Sequence, residues 1–304
     1  MQYFFSALGV ARNNFYFCLQ VMLEELLRMR YILIKVLRHK KGGVYMRLGY
    51  SACSHIGSVR KNNEDNLYVP GRIIPYEYSD AVFVDVGECC TPSVFAVCDG
   101  MGGQECGEYA SYVAAYNLAE LELAIKTEPP ERIDRLVQDY VTKVNERICK
   151  KMQEKSLQIG TTLALVVITS DEIRAYNIGD SRIYALTNDK LLQVSEDHNM
   201  TTQKIDMGIL TKEQAFLDPD RNKLTRYLGN DETVLEVERL PPLELYPHLP
   251  ILLASDGLSE LVSEAKIKEV LQNSKTKDAA ELLVIAALEK GGRDNVTCVV
   301  INAS

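Results

Sequence analysis

The sequence predicts an α+β fold: a four-layer α-β-β-α sandwich in which two mainly antiparallel sheets are flanked by pairs of helices. Three observations point to it. The apolar runs "TTLALVVIT", "EIRAYNI", "RIYALT" and "KLLQVS", between residues 161 and 195, are joined by short polar turns. Such connections imply antiparallel neighbours rather than crossover units. Helical periodicity comes in two pairs of segments, 105–125 with 131–154 and 263–272 with 278–290. Finally, 304 residues with 46% hydrophobic and 25% charged content match a soluble globular chain with room for a large core.

Taken in order, residues 1–45 read as an apolar, basic leader. "FYFCLQVMLEELLRMRYILIKVLRHKKGG" (15–43) is interrupted by Glu24, Glu25, Arg28, Arg30 and Lys35, well short of the ~18 apolar residues of a membrane span. It also lacks the small-residue cleavage site of a signal peptide. The preferred reading is a natural start at Met46 with a misassigned or accessory leader upstream. Membrane contact through a surface helix over 15–41 is the weaker one.

From 46 to 304 the chain reads as a single domain. "RLGYSACS" is a strand, and "VFVDV" and "SVFAVCD" are two more around a polar turn at 87–93. In the 105–125 helix, Ala110, Val113, Ala114, Leu118 and Leu121 share a face. In the 131–154 helix the stripe runs from Ile133 through Val137, Tyr140, Val144 and Ile148 to Met152. Residues 196–232 lose the alternation and read as short helical pieces in a long excursion. Strands return at 233–239 and 250–255, and the last spans 296–302.

Charge narrows the function classes. Residues 1–48 carry eight Lys/Arg against two Asp/Glu, so the total of −8 leaves −14 on the remainder. An acidic body argues against nucleic-acid binding, which needs a basic footprint. It suits a protein whose carboxylates gather cations. The eight cysteines form no C-x-x-C pair. Cys98 and Cys298 sit in apolar runs as small hydrophobes, and Cys89-Cys90 reads as a plain loop pair. A chain of this size needs no oxidised framework, which points to the cytoplasm.

The chemistry lies in a recurring pattern. "VFAVCDGMGG", "RAYNIGDSRIYAL", "ILLASDGLSE" and "GGRDNVTCVVI" each set an Asp beside Gly or Asn at the end of an apolar run. A fifth cluster, "GSVRKNNEDN", sets Arg60 ahead of Glu64 and Asp65. Asp-Gly is also a common turn signal, so any one of these reads first as a turn or cap. Five in one chain are harder to assign to turns. The Gly102–Gly107 spacing resembles a phosphate loop, but Glu108 replaces the lysine such a loop requires. No H-E-x-x-H or G-x-S-x-G occurs, and the four histidines have no zinc spacing. Hard oxygen ligands suit Mg²⁺ or Mn²⁺. Carboxylates sharing a site repel unless divalent ions neutralise them, and a pair of ions can clamp a phosphoryl group while Arg60 grips its oxygens. That is the chemistry of a metal-dependent phosphohydrolase.

The sequence strongly resembles the protein phosphatase 2C family, the metal-dependent Ser/Thr phosphatases, in its compact bacterial form. Eight elements match in order over 48–302: "GSVRKNNEDN", "VFAVCDGMGG", "GTTLALVVI", "AYNIGDSRIYAL", "SEDHNMT", "NKLTRYLG", "ILLASDGLSE" and "GGRDNVTCVVI". The resemblance implies a β-sandwich with two Mn²⁺ or Mg²⁺ ions at its edge. Asp99 would bridge them, Asp256 and Asp294 would complete one ion, and the Gly100 carbonyl would ligate the other. Asp65 and, less directly, Glu64 would stand beside that second ion, and Asp180 would help to hold a third, weaker one. Arg60 would anchor the phosphate, and a bridging hydroxide would attack in line without a phosphoenzyme.

The implied substrates are phosphorylated proteins, a cognate Ser/Thr kinase and that kinase's own substrates among them, with no nucleic-acid partner. The 196–232 excursion would be a flap that selects substrate. Met101 stands where animal relatives carry a His proposed as general acid, Glu260 where an Asp is frequent, and His55 where an Asp is usual. His198 reads as a hydrogen-bonded structural residue. A catalytically silent binding module, and a phosphatase dedicated to one regulatory partner, are the rival readings. The first would be marked by loss of Asp99, Asp256 or Asp294, and all three are present.

Overall fold

The computed structural model describes residues 45–102, 107–155, 158–215, 217–230 and 235–303. The leader expected over 1–45 lies outside them except for Tyr45. Among the described residues the strands form a six-stranded sheet, ordered β10-β9-β13-β14-β1-β4, and an eight-stranded one built on β11-β8-β7-β5-β2-β3. In chain order these are β1 (Arg47–His55), β2 (Asp65–Val69), β3 (Arg72–Ile73), β4 (Val82–Cys90), β5 (Ser93–Gly102), β6 (Ile159–Thr161), β7 (Leu163–Ile168), β8 (Glu172–Ile178), β9 (Arg182–Thr187), β10 (Lys190–Gln193), β11 (Glu238–Arg239), β12 (Leu243–Glu244), β13 (Pro250–Ala254) and β14 (Val296–Ala303). β12 pairs with β8, and β6 with β5.

The four layers follow from which faces are apolar. Between the sheets, Phe95, Val97, Val166 and Ala175 of one meet Leu48, Ile183, Ile251 and Val299 of the other. Outside the larger sheet lie α1 (Gly107–Ile125) and α2 (Ile133–Lys155), whose stripe from Ile133 to Ile148 packs on Val94, Cys98 and Leu165. Outside the smaller sheet lie α6 (Glu264–Asn273) and α7 (Thr276–Glu289), where Ile267, Leu283 and Ala287 pack on Leu252, Cys298 and Val300. Three shorter helices are α3 (Met200–Asp206), α4 (Lys212–Ala215) and α5 (Asp256–Ser259). Residues Tyr45–Ser304 form one compact unit, and none of the described helices is long and apolar enough to cross a membrane.

The fold class is as the sequence predicts, with four local differences. The expected turn at 87–93 shrinks to Thr91–Pro92, because β4 pairs with β1 along its whole length, Arg47↔Cys90 to His55↔Val82. Gly87 permits this, since a Cβ there would collide with the Tyr50 ring. β2 opens inside the acidic cluster, at Asp65. Of the expected strand at 233–239, residues 233–234 lie outside the described residues, and the rest is strand only at Glu238–Arg239. Most consequential, β8 and β9 are not neighbours: the link Gly179-Asp180-Ser181 carries the chain from one sheet to the other. Gly179 turns this corner at φ +101°, a backbone conformation that side chains other than hydrogen disfavour.

Candidate metal centre

Both sheets deliver carboxylates to one edge of the sandwich. In the larger sheet Asp65 stands opposite Asp99 in the antiparallel register of β2 and β5. From the smaller sheet come Asp256, the first residue of α5 just beyond β13, and Asp294, just before β14. Asp180 lies in the link between the sheets.

Their electrostatics are mutual. Burial pushes the Asp99 carboxyl far above the usual range, and Asp65, Asp256, Asp180 and Asp294 push it further. Asp65 is pushed up to about 7, first by burial and then by Asp256 and Asp294, against hydrogen bonds from Thr297 and Ser255. Burial followed by Asp294 and Glu260 raises Asp256, and burial followed by Asp256 and Asp197 raises Asp180.

Buried hydrogen bonds fix each backbone. Thr162 holds Asp99: its Oγ1 accepts from the Asp99 N–H at 2.9 Å, and its own N–H donates to the Asp99 carbonyl at 2.9 Å. Thr162 Oγ1 also lies 2.6 Å from Ser181 Oγ, so the Asp99 strand is tied to the inter-sheet link. Ser255 Oγ donates to Asp65 Oδ2 at 2.9 Å and accepts from the Thr297 N–H at 3.0 Å.

Asn295, buried beside Asp294, satisfies its whole amide. Its Oδ1 accepts from the Glu64 N–H at 2.8 Å, and its Nδ2 donates to the carbonyls of Ile56 (2.8 Å) and Asn62 (2.9 Å). One side chain thus fastens both ends of the loop carrying Arg60 to the strand end carrying Asp294. Gly57, at φ +85°, lets the loop approach, since a Cβ there would strike the Asp294 carbonyl. Arg60, half exposed, donates to Asp294 Oδ2 at 2.6 Å. Gly100 is equally confined: a Cβ would run into the carbonyls of Glu64 and Gly107.

The residues fit a divalent-cation site. Asp65 is 3% exposed, and its Oδ1 has no hydrogen-bond partner among the described residues. A buried carboxylate oxygen left so is costly without a cation. All the donors are hard oxygens. The carboxylates nonetheless bond to other groups: Asp256 shares a hydrogen bond with Asp99, and Asp294 is engaged by Arg60. No group of three Asp, Glu, His or Cys among the described residues stands preassembled around an ion position.

The remaining expected residues separate into two sets. Glu64 joins the cluster: its carboxyl is raised by burial and then by Glu108, and its carbonyl accepts from Gly100 N–H. His55 ends β1, and its Nδ1 accepts from the Gly57 N–H at 2.8 Å. His198 is structural: Nδ1 accepts from the Gly179 N–H at 3.1 Å, so Nε2 carries the proton and donates to Glu238 at 2.9 Å. Glu260 pairs with Arg221 at 3.2 Å. Sequence reasoning missed Asn295, Thr162, Ser255 and Thr297. The Asn of "RDNV" and the Thr pair of "GTTL" stood in the quoted motifs, but their partners in the carboxylate frame are 62 to 239 residues away.

Two antiparallel sheets between helix pairs, with carboxylates from both converging at one edge, define the class of metal-dependent phosphohydrolases. The chain belongs to the protein phosphatase 2C family: that family's model matches residues 79–284. The serine/threonine phosphatase stp of Listeria innocua is 32% identical over 251 residues, 81% of this chain and 92% of that one. The serine/threonine protein phosphatase PstP of Mycobacterium tuberculosis is 33% identical over 261 residues, 84% of this chain but 45% of PstP. A crystal structure of the PstP catalytic domain in complex with two manganese ions superposes with a TM-score of 0.70 at 31% identity, covering 86% of this chain and 99% of that one.

Proposed function

We propose that this chain is a phosphatase of phosphoserine and phosphothreonine in proteins, working with two Mn²⁺ or Mg²⁺ ions in the cytoplasm and counteracting a Ser/Thr kinase. The observation that carries the reading is the convergence of Asp65 and Asp99 with Asp256 and Asp294 beside Arg60. Asp99 would contact both ions, Asp256 and Asp294 one, and the Gly100 carbonyl with Asp65 and Glu64 the other. When bound, such ions neutralise the cluster, lower the pKa of a water for attack on phosphorus and offset charge on the transferring group.

The chain's own residues do the rest. Arg60, at present on Asp294, has a guanidinium free to trade that carboxylate for two phosphate oxygens, a geometry that fixes the ester in line with the cluster. Asn295 sets how far Arg60 stands from Asp294. Asp65, buried and held by Ser255, contributes negative charge where a cation is needed. No His occupies position 101, so proton return to the departing hydroxyl does not fall to that side chain.

Residues 196–232 would act as a flap that selects among phosphoproteins, and 46–304 as the catalytic domain. The experiment is phosphate release from a phosphothreonine peptide, with Mn²⁺ added and then chelated, on the full chain, on a version beginning at Met46, and on Asp256→Asn. Turnover that needs Mn²⁺ and collapses in Asp256→Asn is the expected result. Mn²⁺ binding by calorimetry without turnover would instead favour a silent regulatory module.

A further inference from the structure

The strands that end the two sheets are not alike. β3, β11 and β12 are two residues long, and β10 has four and begins on Lys190. β4 runs for nine residues, paired with β1 in one unbroken register and with no other strand among the described residues. An open edge of that length is ordinarily interrupted by Lys, Pro or a bulge, and β4 has none of the three. The register fixes which of its backbone groups are free. Just past the two ends of the ladder, the Ile56 N–H donates to the Ala81 carbonyl and the Thr91 N–H to the Met46 carbonyl. Bonded and non-bonded partners alternate along an antiparallel pair. Phe83, Asp85, Gly87 and Cys89 therefore bond to β1, and the N–H and C=O groups of the residues between them point away from it. The Tyr78 hydroxyl takes the Val82 carbonyl at 2.9 Å. Nothing among the described residues takes those of Val84, Val86 and Glu88. The valines add an apolar row to this edge: Val82, Val84 and Val86 are 43%, 44% and 48% exposed.

We propose that β4 pairs with β4 of a second copy of this chain about a two-fold axis, joining the six-stranded sheets of two protomers into one continuous sheet. Self-complementarity selects this occupant. Antiparallel pairing centred on Val86 sets Val86 against its own counterpart, Val84 against Glu88 and Val82 against Cys90. It spans the whole strand, draws only on the outward backbone groups and opposes no like charges. A centre at Asp85 or Glu88 would set two carboxylates face to face, and every other centre shortens the overlap. Both carboxylates of β4 are neutralised within the protomer, Glu88 by Arg47 at 2.6 Å and Asp85 by Arg72 at 3.3 Å. Two acidic chains can thus meet at this edge without their β4 carboxylates repelling. The pairing is independent of the reaction proposed above.

The test is sedimentation velocity on the full chain from micromolar to sub-millimolar concentration, where a shift from one chain mass to two is expected. As concentration rises, amide exchange should slow at Val84, Val86 and Glu88 but not at Phe83, Asp85 and Gly87, which β1 already holds. Val86→Glu sets two carboxylates opposite each other across the axis and should weaken dimerisation at least about tenfold. Val84→Lys faces the partner's Glu88 and should dimerise as well as wild type or better. Both replace exposed side chains, so near-UV circular dichroism should match wild type and show that each variant is folded. A chain that stays monomeric over the whole range overturns the proposal and leaves the edge to an extended segment of another protein. A dimer that survives Val86→Glu overturns it too, because it would rest on a different surface. So does a dimer that Val84→Lys breaks as readily as Val86→Glu, which would exclude this register.

Discussion

The carboxylate frame and the 196–230 segment lie side by side and are built in opposite ways. The frame is fixed by hydrogen bonds without ion pairs: Thr162 on Asp99, Ser255 on Asp65, Asn295 across the Arg60 loop. The segment is fixed by ion pairs only partly shielded from water. Lys204 reaches Asp218 at 2.9 Å and Asp220 at 2.7 Å, and Lys223 reaches Asp220 at 2.6 Å. Leu228 is its one fully buried apolar side chain among the described residues, while Met207, Ile209 and Leu217 are 72%, 63% and 84% exposed. Buried hydrogen bonds are costly to leave unmade and therefore hold geometry, whereas exposed pairs are weak and screened by salt. On the proposed function, chemistry would sit on the part held by buried hydrogen bonds, and selection on the part held by ion pairs.

The largest expected effect is at the frame. Asp99→Asn should lower phosphate release by at least about a thousandfold, the scale for loss of a group stabilising transition-state charge, with Mn²⁺ binding lost in calorimetry. Replacing 196–230 by the corresponding segment of another family member should instead change which phosphoproteins are preferred and leave aryl phosphate turnover near its original rate. Unchanged preference after that exchange would end the flap proposal.

Next comes Asn295→Ala. It strands two carbonyls and one N–H, so denaturant unfolding should show a loss of about 2–4 kcal/mol. The Asn295→Ala protein should also bind inorganic phosphate more weakly as the Arg60 loop loosens. Wild-type stability in that variant would mean that the loop is held elsewhere.

The third effect is set by pH. In the unfolded chain carboxyls titrate near pH 4, whereas folding holds Asp65 near 7 and raises Asp99, Asp180 and Asp256 as well. Between these values the folded state binds more protons than the unfolded one, so stability of the chelated protein falls as pH rises through the window. His198, kept low by burial, acts in the opposite direction only toward acid pH. From pH 6.5 to 8 with chelator, unfolding free energy should therefore drop on the order of 2 kcal/mol, and Mn²⁺ should restore it. A rise over that range would contradict the assignment.

The smallest effect belongs to the segment. Lys204→Ala should leave global unfolding unchanged and speed amide hydrogen exchange around 217–223, read by mass spectrometry. Slowed global unfolding, or exchange identical to wild type, would show that the surface pairs do not hold it.

Much of this was legible in the sequence, for a physical reason. Helical and strand periods are local, so the α2 stripe from Ile133 to Ile148 and the apolar runs of β7 and β8 announce themselves. The Asp residues stood out because a carboxylate at the end of a buried strand has no packing rationale. What escaped depends on partners distant in the chain. Gly87 continues β4 because Tyr50 lies over it. The Gly179-Asp180-Ser181 link looks like a hairpin turn until the sheets are known to part there. Asn295 gives no local sign, because its carbonyl partners are 233 and 239 residues away.

The first and last strands of the unit, β1 and β14, are hydrogen-bonded neighbours along their length, from Leu48↔Ala303 to His55↔Val296. A ribosome releases the chain from its N-terminal end, so β1 waits beside an empty position until the residues of β14 emerge. Asp294 arrives with those residues, and Asp65 and Asp99 must wait for it. On the proposed function, a polypeptide that stops short of β14 would lack both the neighbour that β1 pairs with and the Asp294 carboxylate just before it.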